Sequence, residues 1–104
     1  MTEMVTTGTW RPVPGKSAEF VAAWAAFAEW ASTTPGVTTL RLGRDTHDAG
    51  RYVSFAAWTD ADAVSAWKAM PEFQDLLAAV LQHVDEFQPS ELDVVATATT
   101  SVHA

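Results

Sequence analysis

From Met4 to Arg11 small or polar residues alternate with larger ones, and Val and Thr are frequent, which predicts a first strand. Pro12, Pro14 and Gly15 close it, because proline lacks a ladder donor and glycine permits a turn. Ser17 is placed to cap a helix over about Ala18 to Ser32, with Glu19 in its first turn. Along that helix Phe20, Trp24, Phe27 and Trp30 recur at steps of four, three and three, so four aromatic side chains share one stripe. Thr33-Thr34-Pro35-Gly36 stops it. Val37 to Arg44 reads as a second strand with Leu40 and Leu42 on one face, and Asp45 to Gly50 as a polar turn. Arg51 to Trp58 is the third strand. Val53, Phe55 and Ala57 form one of its faces; Tyr52, Ser54, Ala56 and Trp58 form the other. Both faces are largely apolar, which implies cover on both sides.

Thr59 or Asp60 caps a short helix to about Met70, carrying Val64 and Trp67. Pro71 breaks it and opens another, on which Phe73, Leu76, Leu77, Val80, Leu81 and Val84 keep the clearest helical periodicity in the chain. Pro89 ends the helical region, Leu92 to Ala98 is the expected fourth strand, and Thr99 to Ala104 a frayed tail. The order β-α-β-β-α-β, with the second helical region split in two, is that of an α+β, ferredoxin-like domain: an antiparallel sheet with helices on one face. The other face is left bare, and a second copy of the chain is the expected cover, giving a homodimer.

The 104 residues form one domain, 1–104, with its core over about 3–98. Six Lys and Arg face thirteen Asp and Glu, a formal net charge of −7 that leaves no basic surface for nucleic acid and disfavours an anionic membrane. The absence of cysteine excludes disulfides, thiolate nucleophiles and zinc-thiolate or iron–sulfur sites. Met1 to Val5 has no basic region before an apolar run, and no apolar run is of membrane-spanning length, so a cytoplasmic protein is expected. Five tryptophans change the picture most, since they supply large flat surfaces to bury or to offer to a flat ligand.

Tyr52-Val53-Ser54-Phe55-Ala56-Ala57-Trp58, the stretch Thr59 to Ala63, Ala66-Trp67 and Phe73 together resemble the antibiotic biosynthesis monooxygenase domain. Pro14-Gly15-Lys16 to Phe20 and Pro35-Gly36-Val37 resemble its approaches to the first helix and second strand, so the likeness covers about residues 3–97. The resemblance implies a dimeric α+β barrel. Some members oxidise polycyclic aromatic intermediates to quinones with O2 and no flavin, haem or metal; others degrade haem. This chain departs from both patterns. Ser54 stands where the quinone-forming members have Asn, Val64 where they have Tyr, and Ala78 to Leu81 lack their Arg. Leu77 stands where the haem-degrading members have His, and Gly8 near their Asn, which argues against haem. The quinone-forming pattern survives through Trp58.

The resemblance therefore implies a cofactor-independent monooxygenase acting on a flat aromatic or polyketide-derived substrate. Trp58 is the first catalytic candidate: its indole N–H would hold a substrate oxygen as charge develops, or the ring is a buried anchor. Ser54 and Tyr52 share its face and would orient a phenol or ketone. His83 has the intrinsic pKa of a general base, or is a histidine at a helix surface. Phe20, Trp24, Phe27, Trp67, Phe73 and Leu77 would line the substrate pocket, or make up the core. His47 among Asp45 and Asp48 is explained by turn chemistry, so no metal site is assigned. The alternatives are a non-enzymatic binding or dimerisation module of the same fold, and an isomerase or cyclase that does not use O2.

Overall fold

The computed structural model describes residues 2–98. Its elements are β1 (Met4–Pro12), α1 (Ser17–Ala31), β2 (Val37–Arg44), β3 (Tyr52–Trp58), α2 (Ala61–Lys68), α3 (Pro71–Leu81) and β4 (Val84–Asp93). The strands form one sheet in the order β2-β3-β1-β4, and every neighbouring pair is antiparallel. This is the expected α+β, ferredoxin-like arrangement.

Register decides what each face carries, because directly paired residues project to the same side. Gly8 pairs with Ser54 and Trp10 with Tyr52, while Leu40 pairs with Ala56 and Phe87 with Trp10. These residues share the side on which the buried core lies: Met4, Trp10, Tyr52, Ala56 and Trp58 from the sheet pack with Phe20, Phe27, Ala31, Val64, Trp67, Phe73 and Val80 from the helices. Trp58, Phe20, Val64 and Val80 are fully buried, and burial of a large apolar side chain contributes about 1.5–3 kcal/mol. The opposite side carries Phe55, 40% exposed, and Leu92, 48% exposed, beside half-buried Val5, Val53 and Ala57.

Several local signals act as the sequence suggests. Asp60 caps α2, its side chain accepting from the Ala63 N–H at 2.9 Å. Pro71 opens α3, where a missing N–H costs nothing. Gly36, with φ of +90°, turns the chain from α1 into β2 where a Cβ would stand 2.5 Å from that of Ala63, so no larger residue fits under α2. Ser17 does not act as a cap: Lys16 occupies the N-cap position, without a side-chain hydrogen bond, and Ser17 is already helical.

The main departure lies at the C-terminal end. The third helix stops at Leu81, and the fourth strand runs from Val84 to Asp93 instead of Leu92 to Ala98. Val84 falls at helical spacing after Val80 and Leu81, yet it pairs with Pro12, beyond a bulge in β4 at which Asp85 is the extra residue between the pairs Arg11–Glu86 and Pro12–Val84. Pro89 is accommodated inside the strand because β4 is a sheet edge, where a missing N–H faces no partner strand. His83 consequently sits in the turn between α3 and β4, its carbonyl accepting from the Val13 N–H at 2.9 Å. Residues 94–98 are not strand, and Val94 donates to the Glu3 carbonyl at 2.9 Å. The expected frayed tail, 99–104, lies outside the described residues.

Candidate functional site

Between the helices and the sheet lies a cavity of about 220 Å³. Its walls are aromatic because α1 delivers Trp24 and Phe27 from one stripe, α2 delivers Trp67, and α3 delivers Phe73 and Leu77. Phe27, Trp67 and Phe73 meet edge to face, with centroids 5.7 Å apart for Phe27–Trp67 and 4.7 Å for Trp67–Phe73, the arrangement that aligns ring edges with ring faces. Thr6, Gly8, Ser54 and Ala56 lie along the sheet side of the cavity, on neighbouring strands β1 and β3. Leu40 borders it from β2; Trp10 and Phe87, stacked at 3.9 Å, border it from β1 and β4.

Polar atoms are few and fixed. Trp10 donates its indole N–H to the Ser54 hydroxyl at 2.9 Å. Trp58 donates its own to the Thr6 hydroxyl at 3.0 Å. Each hydroxyl oxygen thus accepts from an indole, and each keeps its own proton to donate. Gly8 makes room for one of these bonds: a Cβ there would stand 2.8 Å from Phe87 Cε1, 2.9 Å from Trp10 Nε1 and 3.0 Å from Ser54 Oγ. Trp67 Nε1 is buried with no hydrogen-bond partner. Lys68, which ends α2, is the one charged side chain in the lining and pairs with Glu91 of β4 at 2.6 Å.

Of the residues singled out from sequence, Ser54, Trp24, Phe27, Trp67, Phe73 and Leu77 line the cavity. Trp58, Tyr52, Phe20 and His83 do not. Trp58 lies fully buried beside Trp67, at 4.6 Å between centroids, its N–H committed to Thr6. Phe20 and Tyr52 pack against each other at 5.1 Å in the core. Thr6, Gly8, Trp10, Lys68 and Phe87 were not singled out. Thr6, Gly8 and Trp10 carry a signal, since they sit at alternate positions of one strand, but only the register against Ser54 brings them to the site.

Elsewhere the 45–51 turn is held by charge. Arg51 binds Asp45 and Arg11 binds Asp48, both at 3.0 Å. The His47 N–H and then Arg51 hold the Asp45 carboxyl below its usual pKa; Arg11 and then the Gly50 N–H do the same for Asp48. Among the described residues no three His, Cys, Asp or Glu side chains cluster as a metal site, and no helix is long and apolar enough to cross a membrane.

The architecture around this cavity has known counterparts. SnoaB from Streptomyces nogalater, a cofactor-independent oxygenase, superposes as an Asn-to-Ala variant with a TM-score of 0.86 at 25% identity, over 93% of this chain and 97% of that one. A further SnoaB structure gives 0.81 at 24% identity, over 98% of each chain. A Caulobacter crescentus protein provisionally assigned as an antibiotic biosynthesis monooxygenase gives 0.82 at 22% identity, over 91% of this chain and 92% of that one. No curated protein matches the sequence significantly. The family model for antibiotic biosynthesis monooxygenases matches residues 4–79, most of the chain, and with the fold and its cavity this places the protein in the antibiotic biosynthesis monooxygenase family.

Proposed function

We propose that the protein is a homodimeric, cofactor-independent monooxygenase that oxidises a flat aromatic or polyketide-derived substrate with O2. The observation that carries this reading is an aromatic-walled cavity in which two hydroxyls, Ser54 and Thr6, are each held by an indole N–H. Family membership and the likeness to SnoaB support it. The rings take a phenolic or anthrone-like substrate out of water. As its reactive carbon loses a proton, negative charge builds on the conjugated oxygen. The Ser54 and Thr6 hydroxyls donate to that oxygen, and being already oriented they need no reorganisation. The carbanion gives one electron to O2, the radical pair joins as a peroxide, and protonation and loss of water leave a carbonyl. A CH2 group and O2 thus become C=O and H2O. His83 lies outside the cavity, and Lys68, as an ammonium, has donors only, so the substrate proton passes to water admitted with the substrate.

One observation favours a second reading, a module that binds the same ligand without reaction: the lining holds no carboxylate or imidazole to act as base. O2 uptake by metal-stripped protein with anthrones and naphthalene hydroquinones separates the two. Uptake above the spontaneous rate, reduced at least about tenfold in Ser54→Ala, is expected if the hydroxyl stabilises the developing charge. Binding without uptake would leave only the module.

A further inference from the structure

We propose that the substrate bears a carboxylate or comparable anionic group, and that Lys68 at the cavity wall selects it. This rests on the cavity being the substrate site and adds a charge requirement to it. In a chain of net charge −7 an anionic ligand is repelled from most of the surface. The cavity lining departs from that rule: its one charged side chain is cationic, and the rest is aromatic, aliphatic, proline, glycine or hydroxyl. Lys68 lines the cavity together with exposed Pro89 of β4, which shares the helix side of the sheet with Glu91, where the apolar interior meets solvent. A flat ligand whose rings lie among Trp67, Phe73 and Trp24 would bring an acidic substituent to this edge.

The current partner of Lys68 does not prevent this. Glu91 holds the ammonium at 2.6 Å, with side-chain exposures of 35% for Lys68 and 48% for Glu91. So exposed a pair contributes little net stability, and a ligand carboxylate can replace Glu91 at low cost. The exchanged pair would lie against an aromatic wall, and with the ligand rings excluding water its attraction is stronger than that of the open pair. Glu91 then acts as a stand-in that neutralises Lys68 when the cavity is free of ligand.

The test compares 2-naphthoate with 2-naphthol, which share a ring system and differ in charge at pH 7, by titration calorimetry on the full chain. Wild type is expected to bind the naphthoate about tenfold more tightly, the scale of one charge-assisted hydrogen bond. Lys68→Met should abolish the preference and Lys68→Arg retain it. Glu91→Gln should strengthen naphthoate binding and leave naphthol unchanged, whereas Glu19→Gln, the same charge change on the first turn of α1, should not reproduce the gain. A structural role for the pair would make Lys68→Met and Glu91→Gln act in the same direction on both probes, and that result overturns the inference. Equal affinity of wild type for the two probes, or a preference that survives in Lys68→Met, overturns it too while leaving the oxygenase reading to the O2 assay. Failure of wild type to bind either probe counts against both.

Discussion

The indole rings of Trp58 and Trp67 lie 4.6 Å apart, but their N–H groups differ: that of Trp58 is satisfied by Thr6 at 3.0 Å, and that of Trp67 is buried without a partner. The two tryptophans therefore contribute differently to stability. Trp58→Phe removes a made hydrogen bond and strips Thr6 of its donor, a loss of about 1–2 kcal/mol beyond the reduced packing. Trp67→Phe deletes a donor whose burial is already uncompensated, so only the packing loss remains. Urea unfolding is expected to place the midpoint of Trp58→Phe below that of Trp67→Phe at similar m-values. Coincident midpoints would contradict this division.

Gly8 is expected to be among the least replaceable positions of β1. An alanine methyl would intrude on Phe87, on the Trp10 indole nitrogen and on the Ser54 hydroxyl at 2.8–3.0 Å. These atoms belong to a stacked pair and to a hydrogen bond, so relief at one contact disturbs the other. Overpacking of this kind costs about 1–3 kcal/mol. Gly8→Ala should lower the thermal midpoint and, by displacing Ser54, weaken ligand binding as well. A variant with wild-type stability and affinity would mean that the hydroxyl and the ring stack are not coupled.

The parts legible in the sequence are those set by local periodicity. The α1 stripe predicts Trp24 and Phe27 on the inner side, and strand alternation places Ser54 and Trp58 together, which the register bears out. Alternation cannot tell which of two residues on one face opens to a cavity and which is covered. Trp58 differs from Ser54 in this respect only because Trp67 lies beside it and Thr6 binds its nitrogen. Thr6, Trp10 and Lys68 reach the site through contacts with residues 52, 44 and 23 positions away, which no local pattern encodes. The misplacement of β4 has a different cause. Val84 fits helical spacing and Pro89 looks like a terminator, whereas an edge strand tolerates proline and needs little apolar alternation. His83 moved from helix to turn with that boundary.

Acid should loosen the 45–51 turn before the rest of the molecule. The Asp45 and Asp48 carboxyls are held below the usual 3.8 by backbone N–H groups and by Arg51 and Arg11. A folded-state pKa lower than the unfolded one means that the unfolded chain binds more protons as pH falls. The stabilisation is therefore present above about 3.8 and is lost as pH drops through the depressed folded values. Asp45→Asn/Asp48→Asn should be less stable than wild type at pH 6, and the difference should close below the depressed pKa values. Carboxyl-detected NMR titration should find both groups below the usual carboxylate range, and Arg11→Ala should move Asp48 upward. A stability gap between the two proteins that is constant with pH would sink the assignment.

The sheet face turned away from the helices bears on the proposed dimer. Phe55 and Leu92 are 40% and 48% exposed on it, with Val5, Val53 and Ala57 beside them and Thr7, Thr9 and Ser90 between. A stable interface needs about 800 Å² from each partner, with an apolar centre. A second sheet laid face to face on this one would supply both. Phe55 belongs to β3, an inner strand, so it would lie near the middle of such an interface. Phe55→Glu would bury a carboxylate in such an interface, yet in a monomer it projects into water at modest cost. Sedimentation equilibrium is expected to show wild type as a dimer and Phe55→Glu as a monomer with unchanged far-ultraviolet circular dichroism. A monomeric wild type at micromolar concentration would remove the dimer, and a dimeric Phe55→Glu would place the interface on another surface.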